Sequence, residues 1–435
     1  MTGVESDVQL RGQTKNLVLA TLAFAVSFWA WNLIAPLGVR YTEQLGLTSS
    51  EKSLLVAIPV LVGALGRIVA GVLTDRYGGR LMFPVLMLLA TPFVLLVAFA
   101  GNHDSYGLLL LFGFFLGIAG TTFAVGVPFV NAWYEPSRRG FATGVFGAGM
   151  GGTALSAFFT PRFVDWFGYT ATHVIVAAGL VVVSGVCWLG MRDSPAWRPN
   201  TDPVVPKLAA AGRLPVTWQM AFLYAVAFGG FVAFSTYLPT YLNDIYSFDL
   251  TDAGTRTAGF AIAAVVARPI GGTLSDRVGP RTVVATSLAG TAVLAVVVAL
   301  EPPLEVPAGL TFVALAFFLG LGTGGVFAWV ARRAPADRVG SVTGIVGAAG
   351  GLGGFFPPLV MGATYEVLLP GYGVGLVLLA VVATGALAFT LVGMRESATS
   401  VDSRRSPPGR GDASPPERRL ASDAVDARSD RRADG

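Results

Sequence analysis

Apolar stretches of about twenty residues recur along this chain, and that recurrence narrows the folds open to it more than any other feature. A helix of roughly 20 residues crosses a hydrocarbon core about 30 Å thick. Inside that core every backbone polar group needs a partner within the chain, which leaves helices and closed barrels. Twelve such stretches are read, the first over 17–38, the fourth over 107–131, the fifth over 141–161 and the last over 372–394. Composition agrees: 53% of residues are hydrophobic and 13% charged, with mean hydropathy +0.65, where soluble domains carry about 25% charged residues. The expected fold is an all-α membrane protein with twelve transmembrane helices.

The first apolar run is long and lacks a small-residue cleavage signal, so it reads as an uncleaved span. The single cysteine, Cys187, lies in an apolar helix, which excludes a disulfide within the chain and argues against a metal cluster. No cofactor is expected. Of thirty Lys and Arg, sixteen fall in the N-terminal segment and alternate loops up to Arg395, against four (Arg40, Lys52, Arg162, Arg256) in the opposite loops. This positive-inside bias predicts cytoplasmic termini in a cytoplasmic (inner) membrane. The net charge of +4 then reports topology, and nucleic acid is not an expected partner; the lipid bilayer is.

A hydrophilic connector, RDSPAWRPNTDPVVPKLAAAGRLP (192–215), divides the chain. The expected organisation is one six-helix bundle over 1–191, a cytoplasmic connector over 192–216, a second bundle over 217–395, and a disordered cytoplasmic tail over 396–435. The tail is rich in Ser, Pro, Gly, Asp and Arg, a composition that cannot bury enough apolar surface to fold. The halves repeat. GRIVAGVLTDRYGGR (66–80) aligns without a gap to ARPIGGTLSDRVGPR (267–281), and GFATGVFGAG (140–149) to GSVTGIVGAA (340–349). Two halves in the same orientation are parallel repeats about an axis along the membrane normal, with a substrate site near the midplane between them. A channel or receptor does not need this symmetry; a transporter does.

GVLTDRYGGR and GTLSDRVGPR resemble the cytoplasmic loop motif of the major facilitator superfamily, in both places where that fold carries it, and the resemblance covers about 17–394. It implies two pseudo-symmetric six-helix bundles and a cytoplasmic gate at Asp75, Arg76, Asp276 and Arg277. A carboxylate at each helix end can meet a neighbouring helix N-terminus or a loop arginine; topology and folding alone are the other use of such a motif.

Arg67 sits within LVGALGRIVAGVL, where a charge costs a few kcal/mol on insertion scales. Its repeat partner is Arg268. Each lies eight residues before the Asp at the end of its helix, hence about 12 Å inward. Eighteen acidic residues precede the tail, and none lies deep in a span. Two guanidiniums without counter-ions call for a bound anion, and their planar fork of donors suits a small oxyanion. Snorkelling or pairing with helix carbonyls is the alternative, and is less apt for a symmetric pair.

GSVTGIVGAAGGLGGFFPP (340–358) places glycines at spacings of three and four, which let membrane helices approach closely. The segment is similar to the glycine-rich signature of the nitrate/nitrite porter family, with GFATGVFGAGMGG as a weaker copy. Gly144, Gly147, Gly344, Gly347 and Gly351 are its signature positions here. Where that family's span 5 carries asparagines, this chain has Phe146 and Gly151. SEKSLLVAIPVLVGALGRI (50–68) and LYAVAFGGFVAFS (223–235) look like the family's spans 2 and 7. The resemblance implies that Arg67 and Arg268 bind the anion, that Tyr224 donates a hydroxyl, and that Phe123 and Phe228 pack above and below its plane. Asn32, Thr121, Thr122 and Asn131 are further polar positions within spans.

The function expected is secondary transport of nitrate and nitrite, functional as a monomer, with no catalytic or metal-binding residues. Proton-coupled carriers commonly use a membrane carboxylate or histidine. This chain has no mid-span carboxylate, and its histidines, His103 and His173, lie toward the outer side. Nitrate/nitrite exchange is therefore preferred to proton symport. A small carboxylate such as formate or oxalate suits the same arginines, and an anion-sensing receptor is the reading from another class. Nothing supports an enzyme: the chain has no nucleophile–base constellation and no nucleotide loop.

Overall fold

A computed structural model describes residues 3–135, 139–199, 203–303, 306–335, 338–365 and 372–394. The predicted tail, 396–435, lies outside the described residues. Met1–Met394 forms one compact unit in which, among the described residues, every regular element is helical.

The spans follow from local signals that recur in the two halves. Span 2, Ser49–Tyr77, starts at a Thr48 cap whose hydroxyl accepts from the Glu51 backbone, while Glu51 reaches back to the Thr48 N–H at 3.0 Å. This reciprocal capping box satisfies donors that a helix start leaves free. Span 8, Leu250–Val278, starts at Asp249, whose side chain accepts from Asp252 N–H at 2.7 Å. Both spans stop at a glycine with positive φ, Gly78 at 82° and Gly279 at 89°, where a Cβ would be strained. Caps and stops thus keep the repeat's register.

Span 1 is Gly3–Trp31, span 3 Gly79–Asn102 and span 6 Tyr169–Gly190. Spans 7, 9, 10, 11 and 12 are Pro215–Tyr246, Pro280–Ala299, Val306–Arg333, Val339–Thr364 and Gly373–Ala388. Among the described residues, eleven helices are long and apolar enough to cross a membrane. The expected fifth span, 141–161, is not among them and lies in a broken stretch: Arg139–Gly147, a 3₁₀ turn at Ala148–Gly151, then Gly152–Phe167. Neither piece alone is long enough to span. Span 4 is also interrupted, with 3₁₀ geometry over Gly117–Thr121 between Tyr106–Leu116 and Thr122–Trp133. The connector contains the short helix Val204–Gly212, too brief to cross.

Small residues bring the spans together. A Cβ on Gly229 would lie 2.5 Å from the Gly353 backbone, so spans 7 and 11 touch main chain to main chain; van der Waals contact, rather than water exclusion, holds membrane helices together. Large apolar side chains such as Leu189, Val382 and Val293 point outward, toward the lipid.

Candidate functional site

Arg67 and Arg268 come to the centre of the molecule, 3% and 9% exposed, and Tyr224 and Phe228 are fully buried beside them. Span 2 carries Arg67, span 8 Arg268, and span 7 both aromatics. Phe123 enters from span 4, immediately after its 3₁₀ segment. The Arg67 guanidinium lies 5.1 Å from the Phe123 ring centre and 5.4 Å from that of Phe228. Arg268 lies 5.6 Å from Phe123 and 5.6 Å from Phe327. Phe123 therefore stands against both charges. The Phe123 and Phe228 rings are 6.4 Å apart and 24° from parallel, and Tyr224 stacks on Phe228 at 5.0 Å and 5°.

The signature glycines meet these arginines crosswise between the halves. Arg67 Nη1 donates to Gly347 O at 2.9 Å, and a Cβ on Gly147 would sit 3.7 Å from Arg268 Nε. Arg268 Nη1 donates to the Met150 sulfur in the 3₁₀ turn of span 5. A thioether is a weak acceptor, so the charge gains little from it. Neither arginine has an ion-pair partner among the described residues. Among the described residues Arg67 Nε and Nη2 have no hydrogen-bond partner, and the Tyr224 hydroxyl lies beside both guanidiniums, within hydrogen-bonding reach of Arg268. Buried polar groups are almost always bonded; here two donors of one buried guanidinium stay unsatisfied, with the second guanidinium, Arg268, stacked on the same Phe123 ring.

Space around the site is uneven. Toward the Gly78/Gly279 end, a Cβ on Gly71, Gly144, Gly272 or Gly344 would meet nothing within 4 Å. Toward the opposite end, a Cβ on Gly351 would lie 2.6 Å from Ala64 Cβ and one on Gly362 2.6 Å from Ser53 Cβ. Gly151, the repeat mate of Gly351, also has free space; it ends the 3₁₀ turn. Arg162 donates to Thr255 at 2.8 Å and Thr251 to Asp165 at 2.9 Å across the halves at that opposite end. The halves close there.

The motif residues are placed less evenly. Asp276 pairs with Arg332 of span 10 at 3.2 Å, an exposed pair, rather than with the Arg277 beside it. Asp75 lines a small cavity with Phe129, Asp193 and Trp197, while Arg76 lies over its neighbour Tyr77 at 5.7 Å. Thr121 and Thr122 donate to carbonyls of their own turn, Asn131 accepts from Thr143 at 3.0 Å, and Asn32 keeps a buried amide without a partner.

Sequence reasoning missed Met150 and Phe327, whose apolar side chains look like any core residue. Phe146, at the position where asparagine was expected, stacks on Phe24 at 4.7 Å and 18° and lies 6.3 Å from Phe123; it supports the aromatic wall and offers no donor. Asp193 was missed as well. Its carboxylate accepts from the Arg80 backbone N–H at 3.0 Å and ties the connector to the Gly78 turn. Burial pushes this carboxyl above the usual carboxylate range, and the Arg80 and Gly79 amides oppose that shift.

Membrane-spanning helices around a buried cationic centre, with contacts that close the end away from the Gly78/Gly279 turns, define a membrane transporter rather than an enzyme. Comparison with known proteins agrees. The Major Facilitator Superfamily model matches residues 20–358 and 221–426. A "Probable nitrate/nitrite transporter NarK2" of Mycobacterium tuberculosis is 62% identical over 91% of this chain and 100% of its own length. The "Nitrite extrusion protein" of Bacillus subtilis is 35% identical over 86% of this chain and 93% of its own. A "Probable nitrate/nitrite antiporter NarK1" of Thermus thermophilus is 35% identical over 79% and 83%. A solved bacterial homologue of the human lysosomal transporter Spinster, inward-facing and occupied, shares the fold at TM-score 0.66 and 19% identity, over 92% of this chain and 99% of that one. The chain belongs to the major facilitator superfamily and, within it, to the nitrate/nitrite porters.

Proposed function

We propose that this protein exchanges nitrate and nitrite across the cytoplasmic membrane by alternating access, holding the anion between Arg67 and Arg268. The observation that carries this reading is that Arg67 Nε and Nη2 are left unpartnered in a buried centre that holds two guanidiniums without an ion-pair partner among the described residues, with the Tyr224 hydroxyl beside them. A planar oxyanion accepts from forked donors in its own plane, and the near-parallel Phe123 and Phe228 rings suit its faces. The relatives' names, transporter, extrusion protein and antiporter for nitrate or nitrite, support the choice of anion.

Exchange follows from the charge. An empty site holds two cations in a low-dielectric interior, where like charges repel strongly, so reorientation without an anion is costly. Arginine does not give up its proton at physiological pH, and none of the residues described around the slot is a carboxylate. The bundles 1–191 and 217–395 rock about the site, joined by the connector 192–216. The Gly78/Gly279 end faces the cytoplasm, as the distribution of Lys and Arg favours, and both termini lie on that side. Asp75, Arg76, Asp276 and Arg277 act at the cytoplasmic gate. One chain holds a whole site and works as a monomer.

Uptake of labelled nitrate into proteoliposomes tests the reading, with vesicles preloaded with nitrite or left empty and no pH gradient. Uptake that depends on internal nitrite is the expected result. Equal uptake into empty vesicles driven by an imposed pH gradient would replace exchange with symport. Formate or oxalate carried in preference to nitrate would replace the substrate.

A further inference from the structure

At the end of the molecule away from the Gly78/Gly279 turns, a polar cluster joins the halves. Lys52, in the first turns of span 2, pairs with Asp244, near the end of span 7, at 2.7 Å, with side chains only 6% and 16% exposed. The Tyr372 hydroxyl, at the start of span 12, also donates to Asp244. Tyr237 donates to Tyr372 at 3.3 Å and exchanges a hydrogen bond with Ser53 at 2.9 Å. Ser53 in turn lies against Gly362 of span 11.

Three properties set this cluster apart from an ordinary surface ion pair. Its charges are buried, so the pair is little screened by salt and separating it leaves a desolvated charge on each side. Its members come from opposite halves, so it cannot persist while those halves part at this end. It also lies on the face of span 2 that carries Arg67, fifteen residues away and so about 22 Å along the helix. That places it at the mouth of the route to the site.

We propose that Lys52 and Asp244, with Tyr372, Tyr237 and Ser53, form the outer gate, the catch that must open before the anion site is exposed on this side. The proposal rests on the alternating-access reading and adds the residues that hold one of its states. Lys52 and Asp244 act on transport through the position of the helices and do not touch the anion. Separation of the pair gives up its contact and its hydrogen bonds, so breaking it is costly while the charges remain partly desolvated. An intact gate therefore favours the form open toward the Gly78/Gly279 end.

Accessibility tests this without any substrate. In the full chain carrying Cys187→Ala, a reporter Val60→Cys lies between Ser53 and Arg67 on one face of span 2, seven residues from each. Its labelling by a membrane-impermeant maleimide from the outer side is followed over time. Lys52→Gln and Asp244→Asn are each expected to speed labelling at least tenfold. The charge exchange Lys52→Asp/Asp244→Lys is expected to return it to within a few-fold of the starting rate, which a merely structural lesion would not do. Tyr372→Phe removes one hydrogen bond and keeps both charges; it serves if the charge variants fail to fold, with a rate increase of a few-fold expected. Unchanged labelling in folded variants overturns the proposal, as does a charge exchange that labels as fast as the single changes. Failure of nitrate uptake by the unmodified protein would overturn the transport reading alone, because the labelling rates do not depend on it.

Discussion

At the scale of single residues, the two arginines are the feature the sequence states most openly. A charge within an apolar run announces itself, and the repeat pairs Arg67 with Arg268 before any coordinate is consulted. Tyr224, Phe123 and Phe228 needed the family resemblance, because an aromatic in an apolar span is ordinarily packing. Met150 was not legible at all, and Gly347 was legible only as a signature glycine: one bonds through sulfur and the other through a backbone carbonyl, and neither use is written in residue type. The fork geometry gives the first prediction. Arg67→Lys or Arg268→Lys keeps the charge but presents a point donor on a flexible stem. Hydrogen bonds to charged groups are worth about 1.5–3 kcal/mol each, so losing one or two should weaken nitrate binding at least tenfold and reduce uptake to near background. The protein should still elute as a folded species; titration of purified variants with nitrate is the check. A second prediction follows from guanidinium chemistry. Since neither arginine titrates near neutrality, nitrate affinity should vary by less than about threefold between roughly pH 6 and pH 8. A tenfold change in that window would point to a titrating group elsewhere in the protein and away from exchange.

At the scale of elements, hydropathy located the apolar stretches, and eleven helices among the described residues are long and apolar enough to cross, but it said nothing of how spans 4 and 5 are built. Averaging over a window cannot tell an α-turn from a 3₁₀ turn, so the interruptions at Gly117–Thr121 and Ala148–Gly151 were invisible. They are asymmetric as well: spans 4 and 5 are broken near the level of the site, while their mates, spans 10 and 11, run unbroken over Val306–Arg333 and Val339–Thr364. A 3₁₀ stretch within a helix often marks a hinge, and these two place Phe123 and Met150. The glycines of spans 5 and 11 then acquire a state-dependent meaning. Gly144 and Gly344 have open space for a methyl group, whereas Gly351, across the arginine level, is already pressed against Ala64. If the halves rock, the free face closes in the opposite state and a methyl group there becomes an obstacle. Gly144→Ala and Gly344→Ala should therefore fold normally and bind nitrate within about twofold of the parent, a surface-like change, while exchange in proteoliposomes slows at least several-fold. Full exchange activity in both variants would show that this face does not close.

At the scale of the whole molecule, the repeat carries the expectation of two halves and a connector, and it pairs Arg67 with Arg268, which both come to rest against Phe123 within the compact unit Met1–Met394. What it could not carry was the contact between the halves at the far end. Lys52 and Asp244 are 192 positions apart, sit at the edges of their spans and have no repeat relation to one another, so no local signal pairs them. Only the closed arrangement brings them together, and the same arrangement offers a direct test of the motion. Ser53 Cβ lies 2.6 Å from the position a Cβ would take on Gly362, closer than the 3.5–4.5 Å usual across a disulfide, so the backbone must yield by roughly 1 Å for a bond to form. With Cys187 replaced by alanine, Ser53→Cys/Gly362→Cys should cross-link on mild oxidation and lock spans 2 and 11 together. Each single cysteine variant should keep measurable exchange. The oxidised double variant should fall to near the rate of empty vesicles and regain activity on reduction, because a bond across the halves blocks the open state without touching the arginines. Nitrate binding measured from the Gly78/Gly279 side should survive the cross-link, and that separates a lock on the motion from damage to the site. A cross-linked protein that still exchanged nitrate and nitrite at full rate would mean that the anion passes without the halves parting at this end.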